Sequence, residues 1–198
     1  MKIAIYGGAF NPIHNGHIGL ALSLNKKYQF DKIILIPTGN PVHKSDENFI
    51  SAIDRLNMCK LVSQENKIFE VSDIETKCNE KSYTYNTVQK LKKIYPQDDF
   101  YLIIGGDMLL IFDTWYKYKL LANEVKVICG AREDNFKTLA KKVDELKKEN
   151  CIVNLEEIPI NCVSSSEIRQ KLKFNQNVNK LLPGYVLEYI KERKLYEE

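Results

Sequence analysis

Hydrophobic residues along the chain fall into short continuous runs separated by stretches with helical spacing. Such runs, rich in Ile, Val, Leu, Phe and Tyr and mostly closed by glycine or proline, are typical of strands buried on both faces. Five of them are KIAIYG (2–7), KIILIP (32–37), IFEVSDI (68–74), FYLIIGG (100–106) and VKVICGA (125–131).

The intervening stretches place apolar residues three and four apart, which predicts amphipathic helices. One helix is expected to open near His17, and residues 82–96 and 134–149 form two more. A further apolar stripe consists of Ile53, Leu56, Cys59 and Val62. Strands that alternate with helices predict an α/β protein, a doubly wound parallel sheet with helices on both faces, in a single domain over residues 1–198.

Ligands of such sheets bind beyond the carboxyl ends of the strands, where the strand order reverses. Four segments of this chain directly follow predicted strands and should project to that rim. They are Gly7-Gly8, the loop 38–45, Gly105-Gly106-Asp107 and Arg132.

Composition narrows the class of protein only modestly. The 198 residues are 44% hydrophobic, and the net charge is +3. This small positive charge neither demands nor excludes a nucleic-acid partner, and we expect neither nucleic acid nor membrane among the partners. The N-terminal apolar run is too short for a signal peptide, so a cytoplasmic location is expected. Five widely spaced cysteines without a C-x-x-C pair predict reduced thiols, mostly in the core.

The stretch GGAFNPIHNGH (7–17) places three glycines and two histidines between the first strand and the first helix. Gly7 and Gly8 allow a sharp turn and close approach of the backbone to a ligand, and a helix opening near His17 directs free amides at an anion. A plain turn and half of a metal site are the alternatives. The stretch matches neither the dinucleotide-binding nor the P-loop pattern.

Two segments together resemble the signatures of the nucleotidyltransferase superfamily. GGAFNPIHNGH is similar to its first signature, and VSSSEIR (163–169) to its second. Alone, the second would be an ordinary serine-capped helix with an exposed arginine. The resemblance implies a Rossmann-like fold.

Four further blocks resemble the bacterial nicotinate-nucleotide adenylyltransferase family, in family order. They are NPVHKS (40–45), KSYTYNTVQKL (81–91), IIGGDMLLIFDTWYKY (103–118) and LLPGYVLEYIKERKLY (181–196). The resemblance implies transfer of the adenylyl group of ATP to nicotinate mononucleotide, with release of pyrophosphate, in NAD biosynthesis. Another adenylyltransferase, with a nicotinamide mononucleotide or phosphopantetheine acceptor, and a non-catalytic nucleotide-binding module are the alternatives.

The resemblance also implies roles for individual residues. His14, His17 and Arg169 are the implied catalytic residues, and ATP would be bound by them together with Gly7, Gly8, Phe10, Gly105, Asp107, Ser164 and Ser166. Mg²⁺ would accompany ATP, bound mainly by triphosphate oxygens and water. Nicotinate mononucleotide would be bound by His43, Lys44, Tyr83, Thr84, Trp115 and Arg132.

Some of these roles have simpler readings, and three positions depart from the family pattern. Judged without the resemblance, Thr84 is a helix cap and Trp115 is part of the core. Ala9 stands where the family usually has Thr or Ser, Asn11 where it has Asp, and Ser166 where it has Thr. Ala9 removes a hydroxyl beside the glycines, whereas Asn11 and Ser166 keep the chemistry of the usual residue. The sequence leaves the oligomeric state open, including a homo-oligomer.

Overall fold

The structure is a computed structural model that describes residues 1–40, 49–78, 80–159 and 163–197. Its described part contains one sheet of six parallel strands in the order β3-β2-β1-β4-β5-β6. The strands are β1 (Lys2–Gly8), β2 (Lys32–Pro37), β3 (Phe69–Val71), β4 (Asp99–Gly105), β5 (Lys126–Ala131) and β6 (Val153–Glu157). The predicted fold class is confirmed.

The central strand β1 defines the ligand-binding edge of the sheet. Ile5 pairs with Ile34 of β2 on one side and with Leu102 of β4 on the other. The chain therefore winds outward through β2 and β3, then returns to β4 beside β1. The strand order reverses between β1 and β4, and ligands of open α/β sheets bind at such a switch point.

Helices connect the strands and cover both faces of the sheet. They are α1 (Asn15–Tyr28), α2 (Ala52–Glu65), α3 (Thr84–Ile94), α4 (Gly106–Leu110), α5 (Tyr118–Glu124), α6 (Glu133–Lys148), α7 (Ser165–Lys173) and α8 (Gly184–Glu192), with a 3-10 turn at Phe112–Thr114. Because side chains alternate along a strand, Ala4 and Tyr6 of β1 join one core and Ile3 and Ile5 join the other. The sheet thus has a hydrophobic core on each face.

Most predicted elements are present, with two corrections at the sheet edges. The third strand spans only Phe69–Val71 instead of 68–74, and β6 was not predicted at all. Both are edge strands, each paired on one side only, and β6 has a mixed polar sequence, VNLEE, with little continuous burial. The first helix begins two residues before His17, at Asn15.

The cysteine prediction is confirmed for the described residues. Cys59, Cys78, Cys129 and Cys151 are free thiols, and all but Cys78 are buried. Burial raises the pKa of the Cys59 thiol well above its usual range. Cys162 lies outside the described residues. No helix in the described ranges has the length and apolarity needed to span a membrane.

Candidate active site

Two adjoining cavities lie at the carboxyl ends of the strands, at the switch point. The first, of about 240 Å³, reaches Thr38 after β2, and the second, of about 950 Å³, reaches Gly130 and Arg132 at the end of β5. The residues that line both are Tyr6, Ala9, His17, Gly105, Asp107 and Ser165. The shared wall therefore consists of the ends of β1 and β4 and the first turns of α1, α4 and α7.

The loop between β1 and α1 is held in an unusual backbone conformation. Phe10 has a φ of 47° and is buried, and its ring packs edge-on against Tyr6 and His17. A side chain at Gly8 would lie 3.1 Å from the Phe10 ring. The glycine at this position thus makes room for Phe10 to fold back under the loop, which leaves the backbone of Gly7, Gly8 and Ala9 facing the first cavity.

His14 and His17 cap α1 reciprocally. His14 Nδ1 accepts a hydrogen bond from the His17 amide, and His17 Nδ1 accepts one from the His14 amide, both at 3.3 Å. The two rings stack with centroids 3.6 Å apart. Since each Nδ1 is an acceptor, a neutral ring has its proton on Nε2. Both imidazoles can therefore donate an Nε2–H to an anion, and His14 and His17 line the second cavity together.

Burial keeps His14 neutral at physiological pH. Its side chain is 4% exposed, and loss of hydration lowers its pKa to about 4. His14 is therefore a hydrogen-bond donor rather than a cation. Positive charge near the cavity comes instead from Arg169 and Arg132, which line it as well.

The segment at the start of α7 is attached directly to the loop after β1. Ser164 caps α7 by accepting a hydrogen bond from the Glu167 amide at 3.1 Å. Ser165 Oγ donates to the Pro12 carbonyl at 3.0 Å, and Arg169 Nη1 donates to the Asn11 carbonyl at 3.0 Å. The N-termini of α1 and α7 thus lie beside one another, and both are suited to bind phosphate.

Aromatic residues and the N-terminus of α3 form the far wall of the first cavity. Tyr83 caps α3 without a side-chain hydrogen bond, and Thr84 is the first helical residue. Trp115 is partly buried against Phe112, with ring centroids 5.4 Å apart, and lines the cavity. Its indole Nε1 is buried and has no hydrogen-bond partner among the described residues. This wall offers a flat aromatic face and helix amides to one ligand.

The structure brings most of the predicted site residues together. Their division between the two cavities differs from the predicted division between ATP and the mononucleotide. Of the residues predicted to bind ATP, Gly7, Gly8 and Phe10 line only the first cavity, His14, Ser164, Ser166 and Arg169 only the second, and His17, Gly105 and Asp107 both. Tyr83, Thr84 and Trp115 line the first cavity, as expected for one binding site.

Of the other residues predicted to bind the mononucleotide, one lines the second cavity and two lie outside the described residues. Arg132 lines the second cavity with Arg169 and the serines, because β5 ends on that side of the sheet. Its assignment to the mononucleotide stays a prediction. His43 and Lys44 lie outside the described residues, and their roles stay predictions.

Sequence reasoning missed two charged residues beside the first cavity, the buried Arg55 and the partly buried Glu75. Arg55 is 1% exposed and donates from Nη1 to the Ala9 carbonyl at 2.7 Å. Glu75 lines the cavity and accepts a hydrogen bond from Thr87 Oγ1 at 2.7 Å, and burial raises the pKa of this carboxyl. A signal for Arg55 was present, since it shares a helix face with Cys59 and Val62 at helical spacing.

Comparison with known proteins identifies the family. Residues 5–171 match the family described as cytidylyltransferase-like. The chain is 42% identical to a protein of Fusobacterium nucleatum over 97% of its length and 98% of the relative's, and 37% identical to one of Clostridium tetani over 98% of each. Both relatives are named "Probable nicotinate-nucleotide adenylyltransferase".

The chain belongs to the nicotinate-nucleotide adenylyltransferase family. The resemblance read from the sequence motifs is thereby confirmed.

Solved structures agree on the fold of this adenylyltransferase family member. A nicotinic acid mononucleotide adenylyltransferase of Plasmodium falciparum, in complex with NaAD, superposes with a TM-score of 0.76, covering 98% of this chain and 97% of the other at 23% identity. A Vibrio parahaemolyticus protein named "Putative Nicotinate-nucleotide Adenylyltransferase" superposes with a TM-score of 0.71 at 23% identity, covering 98% of this chain and 94% of the other.

Proposed function

We propose that this protein transfers the adenylyl group of ATP to nicotinate mononucleotide, giving nicotinate adenine dinucleotide and pyrophosphate, a step of NAD biosynthesis. The observation that supports this most is the meeting of two cavities at His17 and Asp107, one lined by phosphate-binding groups and the other by an aromatic face and a helix N-terminus. Two substrates in adjoining cavities would have their reacting groups at the shared wall.

The second cavity is suited to the triphosphate of ATP. The Nε2–H groups of His14 and His17, the guanidinium of Arg169 and the N-terminal amides of α1 and α7 converge there. Arg132 adds a further cation at the end of β5, 34% exposed at its side chain. Such donors neutralise the charge that develops on the α-phosphate and on departing pyrophosphate.

The first cavity is suited to the mononucleotide. Trp115 supplies a flat surface for the pyridine ring, and the amides at the start of α3 supply donors for an anionic carboxylate. A helix N-terminus favours a carboxylate over a neutral amide. The acceptor is therefore nicotinate rather than nicotinamide mononucleotide.

In the reaction that follows from this arrangement, a phosphate oxygen of the mononucleotide attacks the α-phosphorus of ATP in line, and the bond to the β-phosphate oxygen breaks. No covalent intermediate with the protein is needed, since the nucleophile comes from the second substrate. The protein contributes position and charge neutralisation, which account for most of the catalysis of phosphoryl and nucleotidyl transfers. His17 lines both cavities and so belongs to the wall at which the two substrates would meet.

Mg²⁺ is the metal we propose to accompany ATP. The ion would be bound mainly by triphosphate oxygens and water, which needs few ligands from the protein. Asp107 is a carboxylate that lines both cavities and is the residue that could help to hold it. Bound there, Mg²⁺ would neutralise triphosphate charge.

A pyrophosphate-release assay tests the proposal. Purified protein, ATP and Mg²⁺ are incubated with nicotinate mononucleotide, nicotinamide mononucleotide or phosphopantetheine, and each product is identified by mass spectrometry. The proposal predicts nicotinate adenine dinucleotide, formed fastest. Product only with phosphopantetheine would identify a different adenylyltransferase, and ATP binding without any product would indicate a nucleotide-binding module.

A further inference from the structure

Arg55 is one of the largest fully buried side chains of the protein, and it lies on α2, outside the motifs that mark the site. Its donors are directed at backbone carbonyls. Nη1 donates to Ala9 O at 2.7 Å, Nε to Ile50 O at 3.4 Å and Nη2 to Gly39 O at 3.5 Å. The ring of Phe49 lies against the guanidinium, with its centroid 4.6 Å from Cζ.

These carbonyls belong to two different loops of the candidate site. Ala9 is in the loop between β1 and α1, and it lines both cavities. Gly39 follows Thr38, which lines the first cavity after β2. Ile50 lies just before α2, on the other side of the residues 41–48 that the structure does not describe. One guanidinium therefore bridges the loop shared by both cavities and the loop beside the mononucleotide cavity.

Glu75 extends this connection to α3. Its carboxylate accepts a hydrogen bond from Thr87 in the first turn of α3, and Ser82 and the Gly39 backbone also act on the pKa of this carboxyl. Gly39 thus accepts a hydrogen bond from Arg55 through its carbonyl and lies against the backbone of Glu75. A Cβ on Gly39 would lie 2.1 Å from the Glu75 carbonyl oxygen, so these segments are in direct contact.

Burying a guanidinium is costly, because its hydration is lost and the bonds it makes must replace it. An apolar side chain would fill the same volume at less cost if packing were the only requirement. Arg instead offers five donors in a rigid fork, which can fix several carbonyls in one geometry. Lysine has the charge but not the fork.

We propose that Arg55 is a positioning residue that sets the geometry between the two substrates, by fixing the Ala9 loop relative to the Gly39 loop and, through Glu75, to the N-terminus of α3. The inference rests on the proposed adenylyl transfer. Each substrate keeps its own contacts when Arg55 is replaced, but the mononucleotide phosphate and the α-phosphate of ATP lose their alignment. Misplacement of reacting groups by about 1 Å can lower the rate about a hundredfold.

The test compares Arg55→Gln and Arg55→Lys with the wild type and with Arg193→Gln. Arg193 is the matched control, because it contacts Asp54, the residue next to Arg55 in the sequence. Its side chain is 61% exposed, and it has no part in the proposed site. For each protein kcat is measured at saturating substrates, well below the melting temperature. Binding of nicotinate mononucleotide is followed by the fluorescence of Trp115, the single tryptophan, and binding of a non-hydrolysable ATP analogue by calorimetry.

We expect Arg55→Gln to lower kcat at least thirtyfold while each dissociation constant changes less than about fivefold. Arg55→Lys, which is the variant to rely on if Gln prevents folding, should fold and still lose at least tenfold in kcat. Arg193→Gln should retain wild-type kcat. A kcat within threefold of wild type in folded Arg55 variants, or a loss explained by weaker binding or a lower folded fraction, would overturn the inference.

The same experiment separates this inference from the proposed function. If the wild type and Arg193→Gln make the dinucleotide and the Arg55 variants are unaffected, the role of Arg55 is rejected and the proposed function is not. Absence of dinucleotide with the wild type would reject the adenylyl transfer and, with it, the inference that depends on it.

Discussion

The imidazoles of His14 and His17 stack 3.6 Å apart, and each accepts on Nδ1 the backbone N–H of the other residue. This reciprocal arrangement gives two functions to the same pair. It caps α1, and it makes Nε2 the protonated nitrogen of each neutral ring, in two residues that line the same cavity as Arg169. The first three predictions follow from this pair and from the walls of the two cavities.

His17→Ala should reduce turnover strongly. The substitution removes the imidazole at the wall between the two cavities, where charge develops in the reaction, and loss of one such donor typically costs about a hundred- to a thousandfold in kcat. The dissociation constant for ATP should change less than about fivefold, because other donors remain. Steady-state kinetics and calorimetry measure both. Near-normal turnover in the folded variant would reject the role of His17.

Stability should fall as the pH is lowered, because of His14. Burial lowers its pKa from an ordinary value of 6.5 to about 4, so the unfolded chain binds the extra proton first. The contribution of neutral His14 is fully present above pH 6.5 and is lost as the pH falls from 6.5 toward 4, by roughly 3 kcal/mol. Urea unfolding at a series of pH values measures it. His14→Asn, which retains a capping side chain, should have a correspondingly smaller pH dependence in this window.

Trp115 should matter for the mononucleotide and not for ATP. Trp115→Leu removes the flat face of the first cavity, and a stacking loss of about 1.4 kcal/mol corresponds to a tenfold higher KM for nicotinate mononucleotide. Trp115→Phe retains an aromatic ring and should stay within about threefold. The KM for ATP should not change in either variant. Equal effects on the two substrates would place Trp115 in the core rather than in the site.

Gly39→Ala should disrupt the contact between the loop after β2 and the residues around Glu75. The added Cβ would lie 2.1 Å from a backbone oxygen, so the backbone must shift, and a loss of about 2 kcal/mol in the free energy of unfolding is expected. Gly184→Ala is the control, since its Cβ meets nothing within 4 Å. Chemical denaturation of both variants measures the difference. Equal stabilities would contradict the tight packing of Gly39 on Glu75.

The central strands were predictable because burial on both faces leaves a continuous apolar run, as in β1, β2, β4 and β5. The edge strand β6 pairs with one strand only and contains polar residues among its apolar ones, so its hydrophobic pattern is weak. His14, His17 and Arg169 were found through local motifs. Arg55 was not: its helical spacing with Cys59 and Val62 indicates burial, but its partners are backbone carbonyls of distant loops, which no side-chain motif marks. The cavity that Arg132 lines could not be predicted either, because it depends on the place of β5 in the strand order.

A competition between acceptors tests the proposed function most directly. Equal concentrations of nicotinate and nicotinamide mononucleotide are mixed with ATP, Mg²⁺ and the purified protein, and the two dinucleotides are quantified by mass spectrometry during the first tenth of the reaction. The amides at the start of α3 and the face of Trp115 predict that nicotinate adenine dinucleotide forms at least tenfold faster. Equal amounts of the two dinucleotides, or none of the nicotinate product, would contradict the account.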